Sequence, residues 1–232
     1  MTSKLPLLFA TALAVALATP AAAVQIDVSN VAVPLWVSGV DISYGSHSYT
    51  GVIAGQIVLH AAYAGAIASP AFDVYAWCVD LFHDVYLGAN TYHYILGGAV
   101  TNDGNGATLS SLTGNQLMTL AAYGNARLAG ADAGNADVST AIQLAIWQTE
   151  YPGFTFSANA AITSHVAEFE AYAASHVSTN TSLTSLEGAQ ALVTDTIRLP
   201  PGDEQEVPEP FSGALLLTGL VGLGVTRRKL SA

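Results

Sequence analysis

Cys78 is the single cysteine of a 232-residue chain and sits in the segment Ala76-Trp77-Cys78-Val79-Asp80. One cysteine cannot form an internal disulfide, so in an exported chain it stands for intermolecular pairing, lipid attachment or a reactive thiol. Lipid attachment does not fit, because Cys78 lies far downstream of the amino-terminal leader described below. A hydrolytic thiol needs a histidine base oriented by Asn or Asp. His83 is nearest in sequence, and His60, His93, His165 and His176 offer further options, yet no local protease signature surrounds any of them. No two histidines stand at metal-ligand spacing and no glycine-rich phosphate loop is present, so no metal and no cofactor is assigned. The bland alternative is a small, buried, inert cysteine.

A second segment, Ile142-Gln143-Leu144-Ala145-Ile146-Trp147, places a glutamine and a tryptophan one turn apart in an apolar run. Together the two segments resemble the signature of bacterial thioester domains, in which an aromatic residue or leucine precedes the cysteine and a hydrophobic-Gln-x-x-hydrophobic-Trp segment supplies the glutamine. The resemblance implies an internal thioester between the Cys78 sulfur and the Gln143 side-chain carbonyl. A partner amine would open it, leaving an amide on Gln143 and a free Cys78, which is single-turnover capture and not enzymatic turnover. A carboxamide is a poor electrophile, so the bond requires near-attack positioning and donors aimed at the developing oxyanion. Thr140-Ala141-Ile142-Gln143 reads as a capping box at a helix start, with the Thr140 backbone N–H bonding the Gln143 side chain and serving as that donor. Trp147 is expected to cover the bond, and Asp80, on the Cys78 strand face, to orient the amine. Two other function classes stay open: a non-covalent structural matrix protein with an inert cysteine, and a secreted cysteine hydrolase.

Both ends of the chain read as addresses. Lys4, the apolar run Leu5 to Ala18 and Ala21-Ala22-Ala23 form a signal peptide over residues 1–23. At the other end Val207-Pro208-Glu209-Pro210 precedes an apolar run at 211–226, closed by Arg227-Arg228-Lys229. This order resembles the PEP-CTERM sorting tail of Gram-negative bacteria, which implies a transmembrane segment at 211–226, handling by an exosortase-type membrane protease and a transient stay in the inner membrane; a permanent single-span tail anchor is the alternative reading. The basic cluster would hold its end in the cytoplasm. The localisation implied is the cell envelope, cell surface or extracellular matrix.

Between the ends, charge is one-sided. Lys4, Arg227, Arg228 and Lys229 belong to the addresses, which leaves Arg127 and Arg198 against every acidic side chain but Glu209. No basic patch exists for nucleic acid or anionic lipid. Residues 24–206 also contain no lysine. A domain carrying an amine-reactive acyl group gains from lacking competing amines of its own, and an acidic, lysine-poor export composition accounts for the same fact. Either way, intramolecular Lys-Asn isopeptide bonds are excluded.

The elements that must position Cys78 and Gln143 change period midway. Gln25 to Asn30, Leu35 to Tyr44, Tyr49 to Ala62, Asp73 to Leu81 and Tyr92 to Leu96 alternate as strands. The polar turn Asn102 to Gly106 lacks the ligand set of an EF-hand loop. Thr113 to Leu128, then Val138 to Thr149, then Ile162, Val166, Phe169 and Ala173 follow helical spacing, the last behind the caps Ser157 and Asn159. Ala191 to Leu199 returns as a strand, and 200–206 is a Pro- and acid-rich linker to the tail at 207–232. The expected class is α+β: a β-sandwich or barrel over 24–199, strand-rich at 24–98, with a helical subdomain inserted at 112–176 and a return strand at 190–199.

Overall fold

The computed structural model describes residues 24–64, 70–96, 101–102, 107–108, 111–178, 181–185 and 190–195. The leader, the linker, the sorting tail with its apolar run, and the centre of the Asn102 to Gly106 turn lie outside the described residues. Among the described residues no helix is long and apolar enough to cross a membrane.

Among the described residues the chain is α+β, with a curled antiparallel sheet and three helices. Strands β1 (Val24–Ala32), β4 (Ile57–Tyr63), β5 (Phe72–Cys78), β11 (Leu192–Thr194), β10 (Thr181–Ser185) and β6 (Tyr92–Leu96) pair in that order, and β6 pairs back onto β1 to close the sheet. Alternation explains the closure. Ile26, Val28, Leu59, Ala61, Val74, Ala76 and Tyr94 are all buried, while Gln25, His60, Asp73 and Tyr75 between them face out. A register shift between Val28 and Asn30 keeps Val31 buried as well.

Four expected strands are shorter than their sequence patterns. Asp73 to Leu81 ends as β5 at Cys78, and Ala191 to Leu199 is regular only as β11, with 196–199 outside the described residues. In Leu35 to Tyr44 only β2 (Asp41–Tyr44) is regular, because the chain turns at Gly39 with φ of 79°. In Tyr49 to Ala62, β3 (His47–Tyr49) ends where the pattern begins and β4 starts only at Ile57. β2 and β3 join β9 (Thr155–Ser157), which the sequence reading left unassigned, in a small second sheet. Two-residue strands β7 (Thr101–Asn102) and β8 (Ala107–Thr108) flank the polar turn.

Helices α1 (Ser111–Ala129), α2 (Ala136–Glu150) and α3 (Ala160–Ser175) pack on one another, with α1 and α2 also against β5. Asn159 caps α3 as its sequence suggests, accepting the Ile162 N–H at 2.9 Å. Arg127, the single Lys or Arg among the described residues, ties α1 to α3 through Glu168 at 2.7 Å and to its own loop through Asp132. The Glu168 carboxyl is accordingly held below the usual range by that guanidinium. Helix α2 is the central element: every residue from Val138 to Trp147 is buried. A helix buried all round must find tertiary partners for each of its polar side chains, and that requirement builds the site.

Candidate functional site

Three polar residues, Ser139, Thr140 and Gln143, form a stripe on buried α2, and all three bond to main chain elsewhere. The Ser139 hydroxyl donates to Leu35 O at 2.8 Å and accepts the Gln56 N–H at 2.8 Å. Thr140 Oγ1 donates to Ala54 O at 3.0 Å and accepts the Val37 N–H at 3.2 Å. The helix thereby satisfies the irregular segments on either side of β2 and β3, which pair with each other there only at the single Trp36–Gly55 bridge. Gly55 permits the close approach: a Cβ there would stand 2.3 Å from Leu35 O and 3.0 Å from Ser139 Oγ.

Gln143 meets the end of β5. Val79 N–H bonds Ala191 O at 3.1 Å, so β-alternation turns the Cys78 N–H and C=O to the other side, toward β4. But Ala76 is opposite Ile57, the first residue of β4, and beyond it no strand remains to pair Cys78. The Gln143 carboxamide fills that place. Its Oε1 accepts the Cys78 N–H at 2.9 Å and its Nε2 donates to Cys78 O at 2.7 Å, with Gln143 1% exposed.

The capping box is overturned. Asn135 is the N-cap of α2 and accepts the Val138 N–H at 3.2 Å, so Thr140 and Gln143 lie in its second turn, away from the free N–H groups of the helix start. The reason is that Gly134-Asn135-Ala136-Asp137 supplies an earlier start, with φ of 80° at Gly134, a capping Asn and an acidic first turn. The donor facing the Gln143 carbonyl is the backbone N–H of Cys78 itself.

Cys78 is the last residue of β5, and its thiol is buried and free. The thiol donates to Asp80 O at 2.9 Å, and the Asp80 N–H approaches the sulfur at 3.3 Å. Burial pushes the thiol pKa well up, with the Asp80 main chain and the nearby Trp147 indole pulling the other way and the Asp80 and Glu150 charges adding to the rise. Asp80 does not share a strand face with Cys78, because β5 has ended. Its carboxylate instead closes a turn, with Oδ1 accepting the Phe82 and His83 N–H groups at 2.8 and 3.3 Å and Oδ2 lying 2.6 Å from His83 Nδ1. Tyr151 pins the same turn, donating to Val79 O at 3.1 Å and accepting the Leu81 N–H at 3.3 Å. No histidine ring bonds Cys78 among the described residues.

A cleft of about 420 Å³ opens onto this floor, lined by Cys78, Gln143, Trp147, Asp80, His83 and Gln190. Tyr49, Ile53, Phe82 and Leu87, all large and exposed, line its rim. Sequence reasoning found Cys78, Gln143, Trp147 and Asp80. It did not assign Gln190, whose Nε2 donates to Asp80 O at 2.9 Å, nor the Ser139 partner of Thr140 in the polar stripe. The signal was present, since Ser139, Thr140 and Gln143 interrupt an otherwise apolar helix on one side.

The raised thiol carries a pH signature. In a Gln143→Ala variant, which keeps the thiol free, the stabilisation from a protonated buried Cys78 is complete below about pH 8.5, the unfolded thiol value. It is lost as pH climbs through the raised folded value. Urea unfolding of Gln143→Ala and of Gln143→Ala/Cys78→Ser across that range measures it: the stability difference between them should drift against the thiol form above about 8.5. Tyr151, also raised by burial, titrates in both and cancels.

Fold and floor together define an α+β domain in which a helix carboxamide docks on the backbone of the residue that carries the lone thiol, at the base of a cleft. No family model matches this chain, and neither a curated protein nor a solved structure does so significantly.

Proposed function

We propose that this is an exported surface or matrix protein whose Cys78–Gln143 pair matures into an internal thioester and captures an amine-bearing partner covalently. One observation carries the reading: the Gln143 carboxamide is docked on the backbone of Cys78 itself, with its carbonyl oxygen on the Cys78 N–H. Attack by sulfur on Gln143 Cδ puts negative charge on that oxygen, where a donor is already in place. The new S–C bond expels the amide nitrogen as ammonia.

The cleft suits the second step. Asp80, Asp84 and His83 line it, no Lys or Arg among the described residues does, and its rim is aromatic and aliphatic. A primary ammonium on an aliphatic stem fits both features, its charge toward the carboxylates and its stem along Ile53, Phe82 and Leu87. The Asp80–His83 pair supplies a place for the proton that the ammonium must shed before it attacks. Signal peptide and PEP-CTERM-like tail belong to this reading as its route to the surface, through an exosortase-type protease.

A second reading rests on the same bonds. A carboxamide that completes a strand end is also a sufficient structural role, and would make the protein a non-covalent matrix component. Intact mass of the purified exported domain separates the two. A thioester makes the chain lighter by one ammonia and blocks the thiol against alkylation, whereas the structural role leaves the mass unchanged and the thiol titratable after unfolding.

A further inference from the structure

The two buried tryptophans differ in one respect. Trp77, fully buried, donates its indole N–H to Asn125 Oδ1 at 2.9 Å. Trp147, 5% exposed, holds its indole N–H buried with no hydrogen-bond acceptor among the described residues. An unmade bond of this kind is expensive, and native structures retain few without cause. Trp147 follows Gln143 by four residues and so shares its helix face, and both line the cleft with Cys78.

We infer that the Trp147 indole N–H is held for the Cys78 sulfur in its anionic state, as the attacking thiolate when the thioester forms and as the leaving thiolate when an amine opens it. The inference rests on the thioester reading for its chemistry. In the opening step the amine nitrogen bonds Gln143 Cδ, the C–S bond breaks with its electron pair going to sulfur, and the proton shed by the amine ends on that sulfur. Charge on sulfur is opposed from two sides, by Asp80 after β5 and by Glu150 on α2. Tyr151 beside them donates to Val79 O and His83 pairs with Asp80, so neither neutralises it. The groups that favour a charged sulfur are the Asp80 N–H at 3.3 Å and the Trp147 indole, which lines the same cleft as Cys78. A thiol neutral at rest and stabilised only while charged is what a bond that must survive until its partner arrives requires.

Trp147→Phe keeps a ring in place and removes the N–H. In the Gln143→Ala background, alkylation of Cys78 by iodoacetamide, followed by intact mass against pH, should be about tenfold slower at pH 8, with its midpoint about one unit higher. With Gln143 present, opening by methylamine should slow by a similar factor, while the urea midpoint changes little. Packing loss alone would move the urea midpoint and leave the alkylation profile in place. An unchanged profile and opening rate in a folded variant would overturn the inference. Should Trp147→Phe fold poorly, benzothienylalanine at position 147 exchanges the N–H for sulfur at nearly constant shape and is read the same way. If the wild type never loses ammonia, the covalent reading fails by itself and the alkylation arm still decides whether the indole serves the sulfur.

Discussion

On the thioester reading, Cys78→Ala and Gln143→Ala should each abolish the loss of ammonia and all covalent labelling by amines, an all-or-none effect, yet they should differ in stability. The hydrogen bonds between the two residues involve the backbone of Cys78, not its sulfur. Cys78→Ala therefore keeps Gln143 docked and leaves only a small void, whereas Gln143→Ala bares a buried N–H and a buried C=O at about 1–3 kcal/mol each. Intact mass reads the chemistry and urea unfolding reads the fold. Wild-type protein of unaltered mass, with a fully alkylatable thiol before any amine is added, would sink the covalent reading. Equal stability of the two variants would show instead that the strand-end docking carries no weight.

Gly124→Ala has the next largest effect, although it touches neither reactive side chain. A Cβ at Gly124 on α1 would stand 2.5 Å from Ile142 Cδ1 and 2.8 Å from Trp77 Cζ2. Those two residues immediately precede Gln143 and Cys78. A helix-interior alanine normally gains about 0.5–1 kcal/mol over glycine. Here overpacking by a methyl group reverses the sign and costs about 1–3 kcal/mol. Relief requires Ile142 and Trp77 to shift, which disturbs the neighbours of Gln143 and Cys78, and misplacement of a reacting pair by about 1 Å lowers the rate on the order of 100-fold. Gly114→Ala, on the same helix with nothing within 4 Å of its Cβ position, is the control and should stabilise slightly. Matched behaviour of the two variants, in urea midpoint and in the rate of ammonia loss, would refute this packing argument.

Local pattern found those elements whose burial is local. Tyr92–Leu96 alternates and is a strand between those bounds, and Asn159 opens α3 because its cap and its apolar face are adjacent in the chain. Where a partner is distant the pattern misled. Thr140 and Gln143 have the types and spacing of a capping box, but their hydroxyl and amide are spent on Ala54 and Cys78, 86 and 65 residues away. Strand β10 went unassigned because Thr181–Ser185 shows no apolar alternation. Its place is set by β6 and β11, which need a neighbour to close the sheet. The site residues were legible as types; their geometry was not, since the donor to Gln143 turned out to be a main-chain group that every residue possesses.

A side chain standing in for a missing strand makes the domain sensitive to its own chemical history. In the carboxamide form Gln143 both accepts from and donates to Cys78. If the proposed thioester forms, ammonia would carry the donating nitrogen away, so the armed state would face Cys78 O with a group that has no hydrogen to offer, at a cost of about 1–3 kcal/mol for a buried carbonyl. Capture of a primary amine puts an N–H back on Gln143 and repairs the strand end. Capture of an alcohol or of water gives an ester or an acid, and an ester leaves the carbonyl bare. On that reading the strand end itself would discriminate among nucleophiles by their products, returning a hydrogen bond only to the class of partner that restores what maturation removed.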